Sequence, residues 1–139
     1  MYHIIICDKD LSFREELYIL LEQVTQNLFM KCCITQCNES EQVVELLKKR
    51  TVDLLFLGIE SENNRGFEFG KYLHENLCNF LTQIVYVSEK PEYTMELMNT
   101  IPFGFLSKPF SNKKIQCIME RFLKNKKQEM MSFVLKMGR

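Results

Sequence analysis

Short apolar runs alternate along the chain with longer segments in which apolar residues recur at every third or fourth position. The central apolar runs are apolar at consecutive positions, which is typical of strands that helices cover on both faces. This alternation predicts an α/β fold of five βα units around a parallel sheet. The predicted strands are Tyr2–Cys7, Lys31–Gln36, Val52–Ile59, Gln83–Val87 and Phe103–Leu106.

Helical spacing follows each predicted strand. The first helix is predicted from Ser12 to Leu28, with Ser12 as its N-cap, because Glu15 completes a capping-box pattern. Asn38 and Glu41 repeat that pattern before the second helix. Three further helices are predicted, one from Gly66 to Leu77, a short one that begins near Pro91, and a last one that begins after Ser111.

The last predicted helix leads into a polar segment, and residues 130–137 then form an apolar stretch that resembles a strand. No further strand follows with which it could pair. We therefore predict one domain over residues 1–124 and interpret residues 125–139 as a basic linker and the start of a further C-terminal domain. A stand-alone chain with a tail is the alternative.

The charges are divided unevenly along the 139 residues, although 18 basic and 18 acidic residues cancel. Residues 1–112 contain 10 basic and 16 acidic residues, whereas residues 113–139 contain 8 basic and 2 acidic residues. A neutral total gives no overall field that would attract nucleic acid or an anionic membrane. The basic end fits a regulator whose contacts with DNA lie beyond this chain.

The cysteines and the N-terminus indicate a cytoplasmic protein without a membrane segment. The apolar run before Asp8 is too short for a signal peptide. Three neighbouring cysteines do not supply the four convergent ligands that zinc requires. Four of the six cysteines lie within apolar runs and are predicted to be small core residues in a reducing compartment: Cys7, Cys32, Cys33 and Cys117.

Polar side chains follow four of the predicted strands, at the sheet edge where α/β proteins bind ligands. Asp8, Glu60, Ser88 and Lys108 occupy these positions. Carboxylates bind magnesium, and hydroxyl or ammonium groups bind phosphate oxygens. The alternative is that these are ordinary solvated loop residues.

Over residues 1–124 the chain resembles the receiver domain of two-component response regulators, most closely receivers of LytTR-type transcriptional regulators. The resemblance implies a flavodoxin-like (βα)5 doubly wound parallel sheet with strand order 2-1-3-4-5. It also implies that an Asp at the end of the third strand takes a phosphoryl group from a histidine kinase. The segments that carry the resemblance are Ile5-Ile6-Cys7-Asp8-Lys9-Asp10, Val52 to Glu60, Gly66, Ile84 to Ser88 with Glu92-Tyr93, and Phe105 to Phe110.

The resemblance assigns roles to four residues of this sequence. Asp8 matches the first residue of the acidic pair that binds magnesium, and Ser88 matches the hydroxyl residue after the fourth strand. Lys108 matches the lysine before Pro109, and the resemblance implies a cis bond there. Phe105 matches the aromatic residue that reports the state of the site.

Two positions depart from the family pattern. Gly58 stands where the phosphoacceptor Asp is expected, and glycine cannot form an acyl phosphate. Lys9 stands where a second acid would bind magnesium, and its ammonium would repel the ion. We therefore predict a pseudo-receiver without a cofactor, in which Asp8 is the one remaining candidate for residual magnesium binding. We hypothesise that Asp8, Lys9 and Lys108 form an internal charge cluster.

Without phosphorylation, regulation would come from protein contacts. The resemblance implies a dimer face on the last two helices and the last strand, where Tyr93, Leu97, Met98 and Phe103 are candidates. The partners would be a second copy, a partner regulator or a histidine kinase, and DNA would be bound only through a missing C-terminal domain. The alternative function is a stand-alone interaction module. No enzyme is expected, because the sequence contains no nucleophile–base pair or glycine-rich phosphate loop.

Overall fold

A computed structural model describes residues 1–60, 66–76, 82–90 and 102–137. These ranges contain five strands and four helices. The short helix predicted near Pro91 lies outside the described residues. In chain order the elements are β1 (Tyr2–Cys7), α1 (Leu11–Asn27), β2 (Cys32–Cys37), α2 (Ser40–Lys49), β3 (Leu54–Gly58), α3 (Gly66–Asn76), β4 (Gln83–Ser88), β5 (Gly104–Ser107) and α4 (Asn112–Met137).

The five strands form one parallel sheet in the order β2-β1-β3-β4-β5. This arrangement confirms the predicted doubly wound α/β fold. Each predicted strand is present: β1 has the predicted ends, and the ends of the other strands differ from the prediction by at most two residues. β3 lies at the centre, and β1, β3 and β4 each have a neighbouring strand on both sides.

Successive residues of the central strands enter two separate cores, one on each face of the sheet. Ile4 and Ile6 of β1 belong to the core beneath α1 and α4, where Leu17, Leu21 and Phe122 are buried. The intervening residue Ile5 belongs to the core on the other face, together with Val43 of α2 and Leu73 of α3. Side chains alternate between the faces of a strand, which explains why the central runs are apolar at every position.

The first two helices begin differently from the prediction. The N-cap of α1 is Asp10 rather than Ser12, and the Asp10 Oδ1 atom accepts a hydrogen bond of 3.3 Å from the Phe13 amide. The N-cap of α2 is Glu39 rather than Asn38, and the Gln42 side chain accepts the Glu39 amide at 3.1 Å. Both corrections have one cause. Several side chains near each helix start can act as the N-cap, and the direction in which the chain leaves the preceding strand determines which of them reaches the free amides.

The prediction of a strand over residues 130–137 was wrong, because α4 continues without interruption to Met137. Residues 124–129 contain neither glycine nor proline, so nothing in them ends the helix. Cys117 was also predicted wrongly as a core residue; it is exposed on α4. No helix in the described ranges is long and apolar enough to cross a membrane.

α1 ends in a Schellman motif that has a phenylalanine at its left-handed position. The Phe29 amide donates to the Gln26 carbonyl at 3.0 Å and the Met30 amide to the Thr25 carbonyl at 2.9 Å. Phe29 has a φ of 55°, and its side chain is 96% exposed. Glycine is the residue usually found here, because it has no β-carbon to crowd the backbone.

We therefore expect Phe29→Gly to raise the free energy of unfolding by about 1 kcal/mol, which is the steric cost of a β-carbon in this conformation. Urea denaturation measures the change. The matched control is Phe29→Ala, which removes the same ring but keeps the β-carbon and should give no such gain. Equal effects of the two variants would attribute the change to the lost ring and contradict the prediction.

Candidate functional site

The sheet register places the predicted site residues at one edge. Cys7 pairs with Leu57, so that Asp8 follows β1 at the level where Gly58 ends β3. Gly58 in turn pairs with Val87. Ser88 pairs with Ser107, which directly precedes Lys108. The C-terminal ends of β1, β3, β4 and β5 therefore bring Asp8, Gly58, Ser88 and Lys108 to the same edge of the sheet.

Asp8 and Lys108 form an ion pair at this edge. The Lys108 Nζ atom lies 2.9 Å from Asp8 Oδ2, and Asp8 is only 4% exposed. The other carboxylate oxygen, Oδ1, accepts the Asp10 amide at 2.9 Å. The ammonium also lies 4.5 Å from the centre of the Phe13 ring, which favours a cation at that place. Both oxygens of the Asp8 carboxylate are therefore satisfied within the protein.

Lys9 lies outside this ion pair. Its side chain is exposed, whereas Asp8 is buried and Lys108 is half-buried. The pairing of charges at the centre of the edge is therefore between Lys108 and Asp8. Lys9 directly follows Asp8 in the chain and contributes an exposed positive charge.

Arg14 supports the loop that carries Asp8, and the sequence analysis did not identify it. Its Nη1 atom donates to the Asp8 carbonyl at 2.7 Å, and its Nε atom donates to Gln36 Oε1 at 3.3 Å. Arg14 thereby connects the start of α1 with the end of β1 and with β2. These partners lie six and 22 residues from Arg14 in the sequence, outside helical i,i+4 spacing, so no local pattern indicates the contacts.

Ser88 is held by Glu60, the acidic residue predicted to follow the third strand at the same edge of the sheet. The Ser88 hydroxyl donates to Glu60 Oε1 at 2.7 Å, and the Glu89 amide donates to the same oxygen at 3.0 Å. The Lys90 amide donates back to Ser88 Oγ at 2.9 Å. The carboxylate after β3 and the hydroxyl at the end of β4 are thus already paired.

Gly66 begins α3 directly against the end of β3. Its amide donates to the Ile59 carbonyl at 2.9 Å. A β-carbon at Gly66 would lie 2.3 Å from Ile59 Cα and 2.7 Å from the carbonyl oxygen of Gly58. The predicted role of Gly66 as a helix-start glycine is confirmed, and its reason is this close approach of two backbones.

Asp53 is located at the opposite edge of the sheet, as its distance from Gly58 along the strand predicts. Its Oδ2 atom accepts the His3 amide at 2.8 Å, and its Oδ1 atom lies 3.7 Å from Lys126 Nζ. Burial, together with the charge of Asp53, raises the pKa of the Cys32 thiol to about 11. Asp53 therefore makes its contacts at the N-terminal ends of β1 and β3 and cannot reach the edge that carries Asp8.

The described residues contain no cluster of side chains that would bind magnesium or another metal ion. No three His, Cys, Asp or Glu side chains within the described ranges are arranged to hold an ion. Glu60 and Asp8, the carboxylates nearest the site, each accept two hydrogen bonds or ionic contacts from the chain itself.

Phe105 of β5 and Phe103, which directly precedes that strand, contact the cores on opposite faces of the sheet. Phe105 contacts the core that contains Tyr86, its partner on β4. Phe103 contacts the other core, edge-to-face with Phe122 at 6.2 Å, and the Arg121 guanidinium stacks on it at 4.1 Å. Phe103 is therefore largely engaged within its own chain. The other candidates for the dimer face, Tyr93, Leu97 and Met98, lie outside the described residues.

Residues 4–120 match the sequence profile of the response regulator receiver domain. The chain belongs to this family. The peptide bond between Lys108 and Pro109 is cis, as the resemblance implied. The family therefore explains why these particular polar residues meet at the ends of β1, β4 and β5.

Curated relatives of this receiver include the sensory transduction protein LytT of Bacillus subtilis, which is 23% identical over 124 residues. That match covers 89% of this chain and 49% of the relative. LytT of Enterococcus faecalis is 27% identical over 123 residues, a match that covers 86% of this chain and 47% of the relative. The receiver chain thus spans about half the length of the curated relatives it matches.

Solved structures show the same fold. The response regulatory domain of mrkE from Klebsiella pneumoniae superimposes with a TM-score of 0.77 at 19% identity, covering 91% of this chain and 98% of that one. A two-component response regulator from Clostridium difficile gives a TM-score of 0.72 at 20% identity, and the match covers 89% of this chain and 97% of that one. These similarities concern the fold alone.

Proposed function

We propose that this receiver is the regulatory domain of a transcriptional response regulator and that it works without an aspartyl phosphate. The observation that carries the proposal is Gly58, which occupies the end of β3 beside Asp8 in the sheet register. A phosphoryl group needs an oxygen nucleophile at that place, and glycine has no side chain to supply one.

No neighbouring carboxylate takes over the role of acceptor. Asp8 is paired with Lys108, and Glu60 is bound to Ser88 and to the Glu89 amide. An oxygen that already accepts hydrogen bonds or an ammonium ion is a weaker nucleophile, because attack would require these contacts to break. The groups that would otherwise stabilise a phosphoryl group are thus occupied by the chain itself.

Magnesium is disfavoured for a related reason. The ion prefers several oxygen ligands in an octahedral arrangement. Here the Lys108 ammonium lies 2.9 Å from the Asp8 carboxylate, and Lys9 adds a further positive charge nearby. An ammonium already paired with the Asp8 carboxylate raises the electrostatic cost of bringing in a divalent cation. The receiver therefore functions without a metal cofactor.

The output of such a receiver is a contact with another protein rather than a reaction. We place the protein in the cytoplasm, with a second copy, a partner regulator or a histidine kinase as its partner. The curated relatives are about twice as long as this chain, which supports a DNA-binding part located C-terminally to the receiver. The basic charge of residues 113–139 suits a segment that leads to such a part.

The proposal is tested by restoring the two missing acids. Incubation with acetyl phosphate and magnesium should leave the mass of the wild-type protein unchanged. The double variant Lys9→Asp, Gly58→Asp should gain the mass of one phosphoryl group, because the new carboxylate at residue 58 lies beside Asp8 and the new one at residue 9 binds the ion. Intact-mass spectrometry measures the adduct.

The matched control is Lys9→Asp, Gly58→Asn, in which an amide of the same size cannot form an acyl phosphate. A phosphoryl adduct on the wild-type protein would overturn the proposed function. Absence of an adduct on the double Asp variant would contradict the placement of Gly58 at the acceptor position.

A further inference from the structure

The edge of the sheet contains two donors suited to phosphoryl oxygens, the Ser88 hydroxyl and the Lys108 ammonium, and each is bound to a different carboxylate of the chain. Lys108 pairs with Asp8 at 2.9 Å. Ser88 donates to Glu60 at 2.7 Å. The first of these carboxylates follows β1 and the second follows β3, so the two donors are satisfied independently.

We propose that Glu60 is a positioning residue of this receiver: its carboxylate takes the place of a phosphoryl group as the anionic acceptor for Ser88 and holds Glu89 and Lys90, the two residues that follow β4. This inference rests on the proposed function, because it explains what replaces the missing phosphoryl group. Glu60 acts as a positioning residue and takes part in no reaction.

The hydrogen bonds around Ser88 favour Glu60 as the anchor. A serine hydroxyl has one proton to donate, and two acceptors lie within reach. Glu60 Oε1 is 2.7 Å away and the Lys90 carbonyl is 3.2 Å away, so the short bond to the charged oxygen takes the proton. With the proton directed to Glu60, a lone pair of Ser88 Oγ accepts the Lys90 amide at 2.9 Å.

The same carboxylate oxygen also binds the backbone. The Glu89 amide donates to Glu60 Oε1 at 3.0 Å, so Glu60 holds both a side chain and the main chain of the segment that leaves β4. Glu60 itself is half-buried, two residues beyond the end of β3. The contact therefore spans two neighbouring strands and is more than a local turn.

The Ser88 region is in turn connected to the other half of the site. The Lys108 amide donates to the Ser88 carbonyl at 3.0 Å, while the Lys108 ammonium reaches Asp8. Glu60 thus completes a chain of contacts from the end of β3 through β4 and the loop after β5 to the end of β1. Release of Glu60 would free the Glu89 and Lys90 amides and leave the Lys108–Asp8 pair in place.

Amide hydrogen exchange in the full 139-residue chain tests this inference. In Glu60→Ala we expect the Glu89 and Lys90 amides to exchange at least about tenfold faster. The Glu89 amide loses its acceptor, the Glu60 carboxylate, and the Lys90 amide loses an acceptor that Glu60 holds in place, the Ser88 hydroxyl. In Ser88→Ala we expect the Lys90 amide to accelerate while Glu89 remains protected by Glu60. In the Glu60→Ala, Ser88→Ala double variant the Lys90 amide should exchange no faster than in Ser88→Ala alone.

The matched control is Glu68→Gln, which neutralises an exposed carboxylate on α3 and should leave all of these rates unchanged. Amides of Ile5 and Leu55 at the centre of the sheet report whether a variant is merely less stable. Unchanged exchange of Glu89 in Glu60→Ala, or equal acceleration of Ile5 and Leu55, would overturn the inference. The phosphoryl adduct on wild-type protein that would defeat the proposed function is a separate mass measurement, so the two failures are distinguishable.

Discussion

Lys108→Met is expected to lower the free energy of unfolding by about 3 kcal/mol, because it leaves the Asp8 carboxylate buried without its counter-ion. Methionine has nearly the length of lysine, so the change removes charge more than volume. Asp8 is 4% exposed and keeps the Asp10 amide at 2.9 Å, which compensates only part of its lost hydration. Urea denaturation should show a lower midpoint with an unchanged slope.

Two variants make this expectation specific. Lys124→Met removes an exposed lysine from α4 and should change the stability by no more than about 0.5 kcal/mol. The double variant Asp8→Asn, Lys108→Met removes both charges and should recover most of the loss, since no uncompensated ion remains. If Lys108→Met were as mild as Lys124→Met, the ion pair would be shown to contribute little.

The second large effect is expected at Gly66, where alanine should cost about 2 to 3 kcal/mol. Alanine is normally preferred over glycine in a helix by about 1 kcal/mol, so a loss of this size has the opposite sign to helix propensity. The cause is the position of the new β-carbon, 2.3 Å from Ile59 Cα, where only a shift of the backbone of β3 or α3 can make room. The expected measurement is again a fall in the urea midpoint.

Gly104→Ala is the matched control for Gly66. A β-carbon at Gly104 would meet the Arg121 Nη2 atom at 3.0 Å, which is the end of a flexible side chain and can move aside. We therefore expect a loss below about 1 kcal/mol for Gly104→Ala. Similar losses in both variants would mean that backbone contact is not the reason for glycine at position 66.

The order of elements was predictable because hydrophobic periodicity reports burial directly. The alternation of Ile4, Ile5 and Ile6 between two cores is what an unbroken apolar strand indicates, and the structure shows both cores. The extent of α4 was not predictable in the same way. Residues 130–137 are apolar at six of eight positions, which resembles a strand, but Met130, Phe133, Val134 and Met137 also recur at helical spacing.

The exposed apolar residues of α4 illustrate why the pattern alone misleads. Periodicity predicts a strand or a helix on the assumption that apolar residues are buried. Met130, Phe133 and Met137 are 66%, 61% and 72% exposed, respectively. Continuation of the hydrogen-bonded helix from Asn112, with no glycine or proline to stop it, decided the conformation instead.

For the candidate site, the sequence by itself determined which chemical groups are present and which are missing. Glycine at position 58 has no side-chain oxygen and lysine at position 9 has no carboxylate whatever the fold, because these properties belong to the residue types. The family resemblance added the positions of Asp8, Ser88 and Lys108 at the ends of three strands.

Only the tertiary structure decided which of these groups are paired. Glu60 and Ser88 are 28 residues apart in sequence, and Asp8 and Lys108 are 100 residues apart, so no local pattern could indicate their contacts. Parallel strands connected by helices bring their C-terminal ends to one edge, and there the side chains select partners by distance and charge. The residue types at the strand ends are therefore a property of the sequence, whereas the pairing of Ser88 with Glu60 and of Lys108 with Asp8 is a property of the fold.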